Sequence, residues 1–449
     1  MITIFDYAWL LLHSCLLLFI GMREFLKPYG RNVYMLALAP AMLVLVNGQA
    51  WWVFSKFADN QTSIIYHIKK SISVDGAKLA NFYLGLSIIV LYVTYRVLEK
   101  KQPLKSFFKP TPLPAGEGSV KAITNSILVL WTGFFAYIAF DVMGGALVLI
   151  ANPGQFMGNG ATVFLVLVHL SRLQFLKSIA KNQQPLIVER LLFVFVIIFQ
   201  LFNGRGWMLF FVFQLLIAYN YCKKEISRKT AVSFALFFLF TIFIFGMYRH
   251  FTSLAGPSTL NEYISVYSGS DNPINWFYST SVEGFAGLAG ILTYKETHLI
   301  FHDFGISNLT FWMKLIPYQI RLDPTFPFVE LNELILNKYP YPDSITKSGY
   351  ESFYAHFGIF GILSLGFLFP YCANKFHLCM IGNNPKKFKI AIYSAYLLLL
   401  LYGSLFFIFF YAMTETIGLI IFWILNLISK QIFIVVRKSK NRKFIGIAD

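Results

Sequence analysis

Five side chains in this sequence are of the types that could carry chemistry. Arg205 lies in LFNGRGWMLFF between two glycines, and Arg249 lies in FGMYRHF. A guanidinium stays charged at every physiological pH and grips phosphate oxygens two at a time, so a convergent pair suits a diphosphate leaving group. Each arginine also has a plainer reading, as a cation snorkelling at a membrane surface. Glu283 stands in the otherwise apolar STSVEGFAGL. If that segment dips into an apolar environment, burial raises the carboxyl pKa, as a general base requires. The competing reading is an acid at a helix start, behind the capping residues Ser279, Thr280 and Ser281. His356, in SGYESFYAHFGIFGILSLGF, can take a proton from a hydroxyl near neutral pH, with Glu351 one turn earlier to orient it or to act as the base itself. A hydrogen-bonded interfacial histidine is the alternative. The GNG at 158–160 and GRG at 204–206 are too short for a phosphate loop, and no Walker lysine follows. His298 and His302 are four apart, but with only Asp303 nearby they make an incomplete metal set, and no metal or other cofactor is expected.

The elements that must position these groups are membrane helices. Of 449 residues, 57% are hydrophobic, 18% aromatic and only 13% charged. Soluble proteins are about one quarter charged, and disordered chains are poor in aromatics, so both classes are excluded. Apolar runs bounded by charge or turn residues predict eleven spans, near 4–21, 33–54, 79–95, 123–143, 160–176, 187–203, 207–221, 231–248, 355–374, 390–411 and 416–436. The net charge of +17 would suggest nucleic acid in a soluble protein; here it reports orientation, and no nucleic-acid partner is expected.

Every second loop is basic. The groups at 23–31, 96–121, 172–190, 223–229, 375–389 and 430–443 hold 27 of the 38 Lys and Arg residues, which places them in the cytoplasm and the N-terminus outside. Asp141 and Glu415 fall near outer ends of spans and read as solvated. Cys15 falls within a span, and Cys222, Cys372 and Cys379 fall at cytoplasmic ends, so no disulfide is expected. The chain then divides into an N-terminal bundle of about eight helices (1–248), a large outer loop (249–354), and the last helices with a basic tail (355–449). The loop carries ten acidic against six basic residues, and its apolar, aromatic runs suit short helices that lie in the interface or dip back into the bundle. Its aromatics, Trp276, Phe277, Tyr278, Trp312, Tyr318, Tyr339 and Tyr341, could stack on sugars or form an interfacial belt.

The GRG hairpin, the arginine opening a long outer loop and the glycine-rich re-entry together resemble the Wzy-type O-antigen polymerases, the oligosaccharide repeat unit polymerases. Gly204, Arg205 and the apolar WMLFFVF match a GxR pattern of that family. Ser352, Tyr354, Phe357, Gly358 and Gly361 match its SxxELYxNFGxxG pattern, with His356 where the family often has Asn and Glu351 displaced by one position from the family's Glu. The resemblance covers the layout of most of the chain but only these short motifs in residues. It implies an all-α, GT-C-like polytopic protein of the bacterial inner membrane that acts on undecaprenyl-diphosphate-linked oligosaccharides among membrane lipids. The growing glycan would pass from its lipid carrier to a new lipid-linked repeat unit at the outer face, with a polysaccharide chain-length regulator as a candidate partner.

On that reading Arg205 and Arg249 hold the diphosphate, and Glu283, His356 or Glu351 is the base. Two alternatives remain at this level. An O-antigen ligase shares the layout and the donor but passes the glycan to lipid A-core. A lipid-linked oligosaccharide transporter does no chemistry, and would show two related halves with short loops.

Overall fold

The computed structural model describes residues 2–58, 63–66, 70–100, 118–143, 161–181, 183–194, 205–233, 235–236, 278, 284–295, 349–381, 384, 386–402 and 405–445. They form an all-α protein with one short β-hairpin, and five helices are long and apolar enough to cross a membrane: Ile4–Leu26, Val33–Ala58, Val74–Lys100, Gly349–Ile381 and Glu415–Arg437. Those five coincide with the first, second, third, ninth and eleventh expected spans. The expected spans at 123–143, 160–176 and 207–221 fall on helices, whereas 195–204 and most of 231–248 lie outside the described residues.

The chain packs as two compact units interleaved in sequence. One comprises 1–108, 227–384 and 392–411, and the other 109–226, 385–391 and 412–449. This partition follows packing and therefore differs from a division in chain order into bundle, loop and tail.

The first unit opens with α1 (Ile4–Leu26), whose start is fixed by a reciprocal capping box between Thr3 and Asp6. Asn32 caps α2 (Val33–Ala58) by accepting from the Tyr34 and Met35 amides. Within α2, Pro40 removes a backbone donor, and a wider π-turn follows at Leu43–Asn47. A hairpin of β1 (Ser63–Tyr66) and β2 (Lys70–Ser73), paired Ser63 to Ser73, leads into α3 (Val74–Lys100).

Between α3 and the long α8 (Gly349–Ile381) there is little room for side chains. The missing Cβ of Gly366 would stand 2.2 Å from the Ser87 carbonyl oxygen, and the Ser87 hydroxyl donates to Ile362 O at 2.8 Å. Without a hydrophobic drive between helices in lipid, such close backbone approach carries the association. Gly366→Leu should therefore push α8 off α3 and cost about 1–3 kcal/mol or more, read as a lower melting temperature of the purified chain. An unchanged melting curve would contradict this packing.

The second unit contains α4 (Gly118–Met143), α5 (Ala161–Ala180), α6 (Arg205–Ala218) with a π-turn at Tyr219–Lys223, and most of α11 (Leu405–Ile445). Glu189 is buried and ties this unit together. It accepts from the Asn125, Gln174 and Ser178 side chains and the Leu186 amide at 3.0–3.2 Å, and pairs with Lys121 at 3.1 Å. A buried carboxylate needs such saturation. The expected continuous span at 390–411 is interrupted: helices at Lys387–Ser394 (α9) and Tyr396–Tyr402 (α10) meet at a turn, and α11 begins at Leu405. Ser394, at that turn, hydrogen-bonds the Tyr34 hydroxyl at 2.7 Å.

Candidate functional site

The site grows from the π-turn of α2. An extra backbone residue in a helix turn re-aims the side chains that follow it, here Asn47 and Gln49, both wholly buried. Gln49 faces a short helix, α7 (Phe285–Lys295), which arrives from a distant part of the chain. The Gln49 amide donates to Tyr278 O at 3.2 Å, and its carbonyl oxygen accepts from the Ala286 amide at 2.9 Å, so one side chain holds both arms of the incoming segment. The Tyr278 hydroxyl donates to Val44 O at 3.1 Å and fills the space a side chain at Gly48 would need.

Residues 44–49 lie near the middle of the 26-residue α2. The other end of α7 lies where α2 ends and α3 begins: the Thr293 hydroxyl accepts from the Ser73 amide at 3.0 Å. Tyr278 and the start of α7 therefore lie against the middle of α2, and α7 runs from there to the start of α3. Backbone polar groups inside an apolar bundle need protein partners, and Gln49 supplies them to Tyr278 O and the Ala286 amide. Gly284 makes the turn into α7 with φ +99, a conformation open to glycine, backed against Val46 and the Leu45 carbonyl.

Glu283 immediately precedes this turn. Glu283 itself lies outside the described residues. Tyr278 serves as an anchor against α2, a role distinct from the sugar stacking considered for it.

His356 and Glu351 fall on α8 (Gly349–Ile381), and both are buried. The helix is two segments joined at Gly358, whose φ of +61 breaks the helical path one residue pair after His356. The motif glycine at 361 has no space to spare: a Cβ there would meet Phe353 O at 2.1 Å. The short first segment thus carries His356, Glu351 and Tyr354 as a unit separate from the rest of α8. Tyr354 stacks on Tyr83 (6.1 Å between centroids) and accepts from Lys295 Nζ at 3.1 Å, a bond that raises the Lys295 ammonium pKa above its ordinary range. α7 and the start of α8 are joined there.

Behind α7's inner end sits a polar cluster that the sequence reading passed over. His13 of α1 lies between Asn47 and Asn81. Asn47 donates to Nδ1 at 3.0 Å and Asn81 Oδ1 lies 3.0 Å from Nε2, which sets the neutral tautomer with its proton on Nε2. Asn47 also donates to the Ser14 hydroxyl at 2.9 Å. A polar cluster inside an apolar bundle is a functional-site candidate, and its signal in the sequence was one His, one Asn and one Asn in three separate spans.

Arg205 is the first residue of α6 and belongs to the second unit, and its side chain lies outside the described residues, as does Arg249. Two other charges of the second unit were misread. Glu415, expected at a solvated end, is fully buried, and Arg172, grouped with the loop cations, is buried beside it. The Arg172 guanidinium donates to Glu415 and to Gln214, and stacks 4.4 Å over the Phe211 ring. Hydropathy averaged over a span passes over one charge in it, so a buried charge next to a span end reads as the start of a loop.

No protein-family model, no curated protein and no solved structure matches this chain.

Proposed function

We propose that the chain is a Wzy-type polymerase of eleven spans and GT-C-like layout, in the bacterial inner membrane, that joins undecaprenyl-diphosphate-linked oligosaccharide repeat units at the outer face. The observation that supports this reading best is the start of α7, which Gln49 and Tyr278 hold against the middle of α2, and Glu283 is the residue before Gly284 in the sequence. A carboxylate delivered there loses hydration and becomes a stronger base.

In the proposed reaction Glu283 takes the proton of an acceptor sugar hydroxyl. The hydroxyl oxygen then bonds to the donor's anomeric carbon, and the bond from that carbon to the diphosphate oxygen breaks. The lipid diphosphate leaves with the electron pair, and Arg205 and Arg249 stabilise the charge it gains. His356 and Glu351, on the short first segment of α8, are the other candidate bases.

Expressed in a strain lacking the chromosomal copy, Arg205→Ala and Arg249→Ala should abolish long glycan chains at normal protein level, scored by the ladder of lipopolysaccharide bands. Normal chain lengths in both variants would remove the diphosphate clamp. The deletion strain itself separates the alternatives: single repeats still joined to core indicate a polymerase, and loss of all attachment indicates a ligase.

A further inference from the structure

The second unit contains a pocket of about 390 Å³ at the end of α5, walled by α4 and α11. Lys121, Lys177, Lys181 and Lys430 all line it. Glu189 is the one carboxylate that reaches these lysines among the described residues. It is already saturated by four hydrogen-bond donors and its pairing with Lys121. Lys177 is steered into place by Asn426 at 2.6 Å and by the Phe422 ring at 4.9 Å, neither of which neutralises it. The Lys181 and Lys430 side chains form no ion pair or hydrogen bond among the described residues. Burial, and then the charge of Lys121, pushes the Lys181 pKa down, the mark of a cation facing its own kind. Four ammonium groups around one half-open pocket repel one another unless an anion enters.

The α11 wall of the pocket indicates where that anion comes from. Trp423 and Leu427 line it and are 62% and 42% exposed, and they continue a stripe of exposed apolar residues along α11 with Ile420, Ile424 and Ile428. Helical spacing puts these on one face, within the segment Glu415–Arg437 that is long and apolar enough to cross a membrane. The opening therefore adjoins a surface suited to acyl chains, with the lysines at the end of that segment. Basic pockets between membrane helices beside the basic loops take phosphate head groups.

We propose that this pocket binds a phosphoryl group, supplied by the head group of an anionic membrane lipid that seats its chains along the Trp423 face of α11. It shares no residue with the proposed glycan chemistry, and does not depend on it.

The test uses the full chain in nanodiscs of phosphatidylcholine with a small fraction of phosphatidylglycerol, and native mass spectrometry counts the lipids retained. Phosphatidylglycerol should be enriched on the wild-type chain. The Lys181→Gln and Lys430→Gln variants should each lose about fivefold of that preference, and the arginine variants at the same positions should keep it. The Lys181 and Lys430 side chains hold no partner among the described residues, so melting curves of the variants should match wild type. A second arm titrates inorganic phosphate against the chain in pure phosphatidylcholine. Stabilisation by free phosphate with no lipid preference would support the phosphoryl site and overturn the lipid as its source. No preference for phosphatidylglycerol and no response to phosphate would overturn the proposal as a whole.

Discussion

Arg172→Met should destabilise the second unit by about 3–5 kcal/mol, because it leaves Glu415 as a buried charge with no counter-ion. Arg172 and Glu415 are both fully buried, and Gln214 and the Phe211 ring complete the guanidinium's surroundings. Thermal unfolding in detergent should fall on the order of 10 °C. Arg172→Lys should rescue little, since an ammonium can neither stack on Phe211 in the same way nor serve Gln214 and Glu415 from one plane. The double variant Arg172→Met with Glu415→Leu should recover most of the loss, because removing both charges also removes their desolvation cost. If the single variant melts as wild type does, the pair is not what holds α5 to α11. If the single and double variants lose stability equally, the loss comes from packing and not from charge.

Glu283→Gln should lower the rate of glycan polymerisation by about 10²–10⁴-fold, the usual contribution of a general base, while lipid-linked substrate still binds. Glutamine keeps the size and the hydrogen-bonding reach of glutamate but cannot take the proton, so α7 should stay docked on Gln49. The measurement is the turnover of the purified full chain with lipid-linked repeat units, run beside the melting temperature. Gln49→Ala serves as the contrast. Its side chain satisfies Tyr278 O and the Ala286 amide, so its loss should lower both rate and stability. Full activity in Glu283→Gln would move the base elsewhere, with His356→Ala and Glu351→Gln as the next variants to measure.

Much of the path to this site was legible in the residues. The apolar NWFYSTSVEGFAGLAGIL suited a short helix that lies in the interface or dips back into the bundle, and the described helix α7 packs on α2 and α3. The glycine-rich YAHFGIFG marked where the chain re-enters the membrane, but the break at Gly358, with its positive φ, falls inside the span expected to be continuous. The hairpin at Ser63–Ser73 was missed, because its strands of four residues are too short to stand out beside spans of more than twenty. His13 was passed over because it stands alone in an apolar run, where nothing nearby shows that Asn47 and Asn81 converge on it.

The amino-acid sequence by itself determined that this is a helical membrane protein. The transfer of apolar side chains out of water adds up along each run, and that sum is readable without knowing any neighbour. Only the tertiary structure decided which polar residues meet. Arg172 and Glu415 are 243 positions apart, and Gln49 and Ala286 are 237 apart. Their pairing depends on which face each helix turns to the next, and that is set by close backbone contacts such as Gly366 against Ser87 and by the extra residue of the π-turn. Such contacts are interactions between surfaces, and no property of one segment contains them.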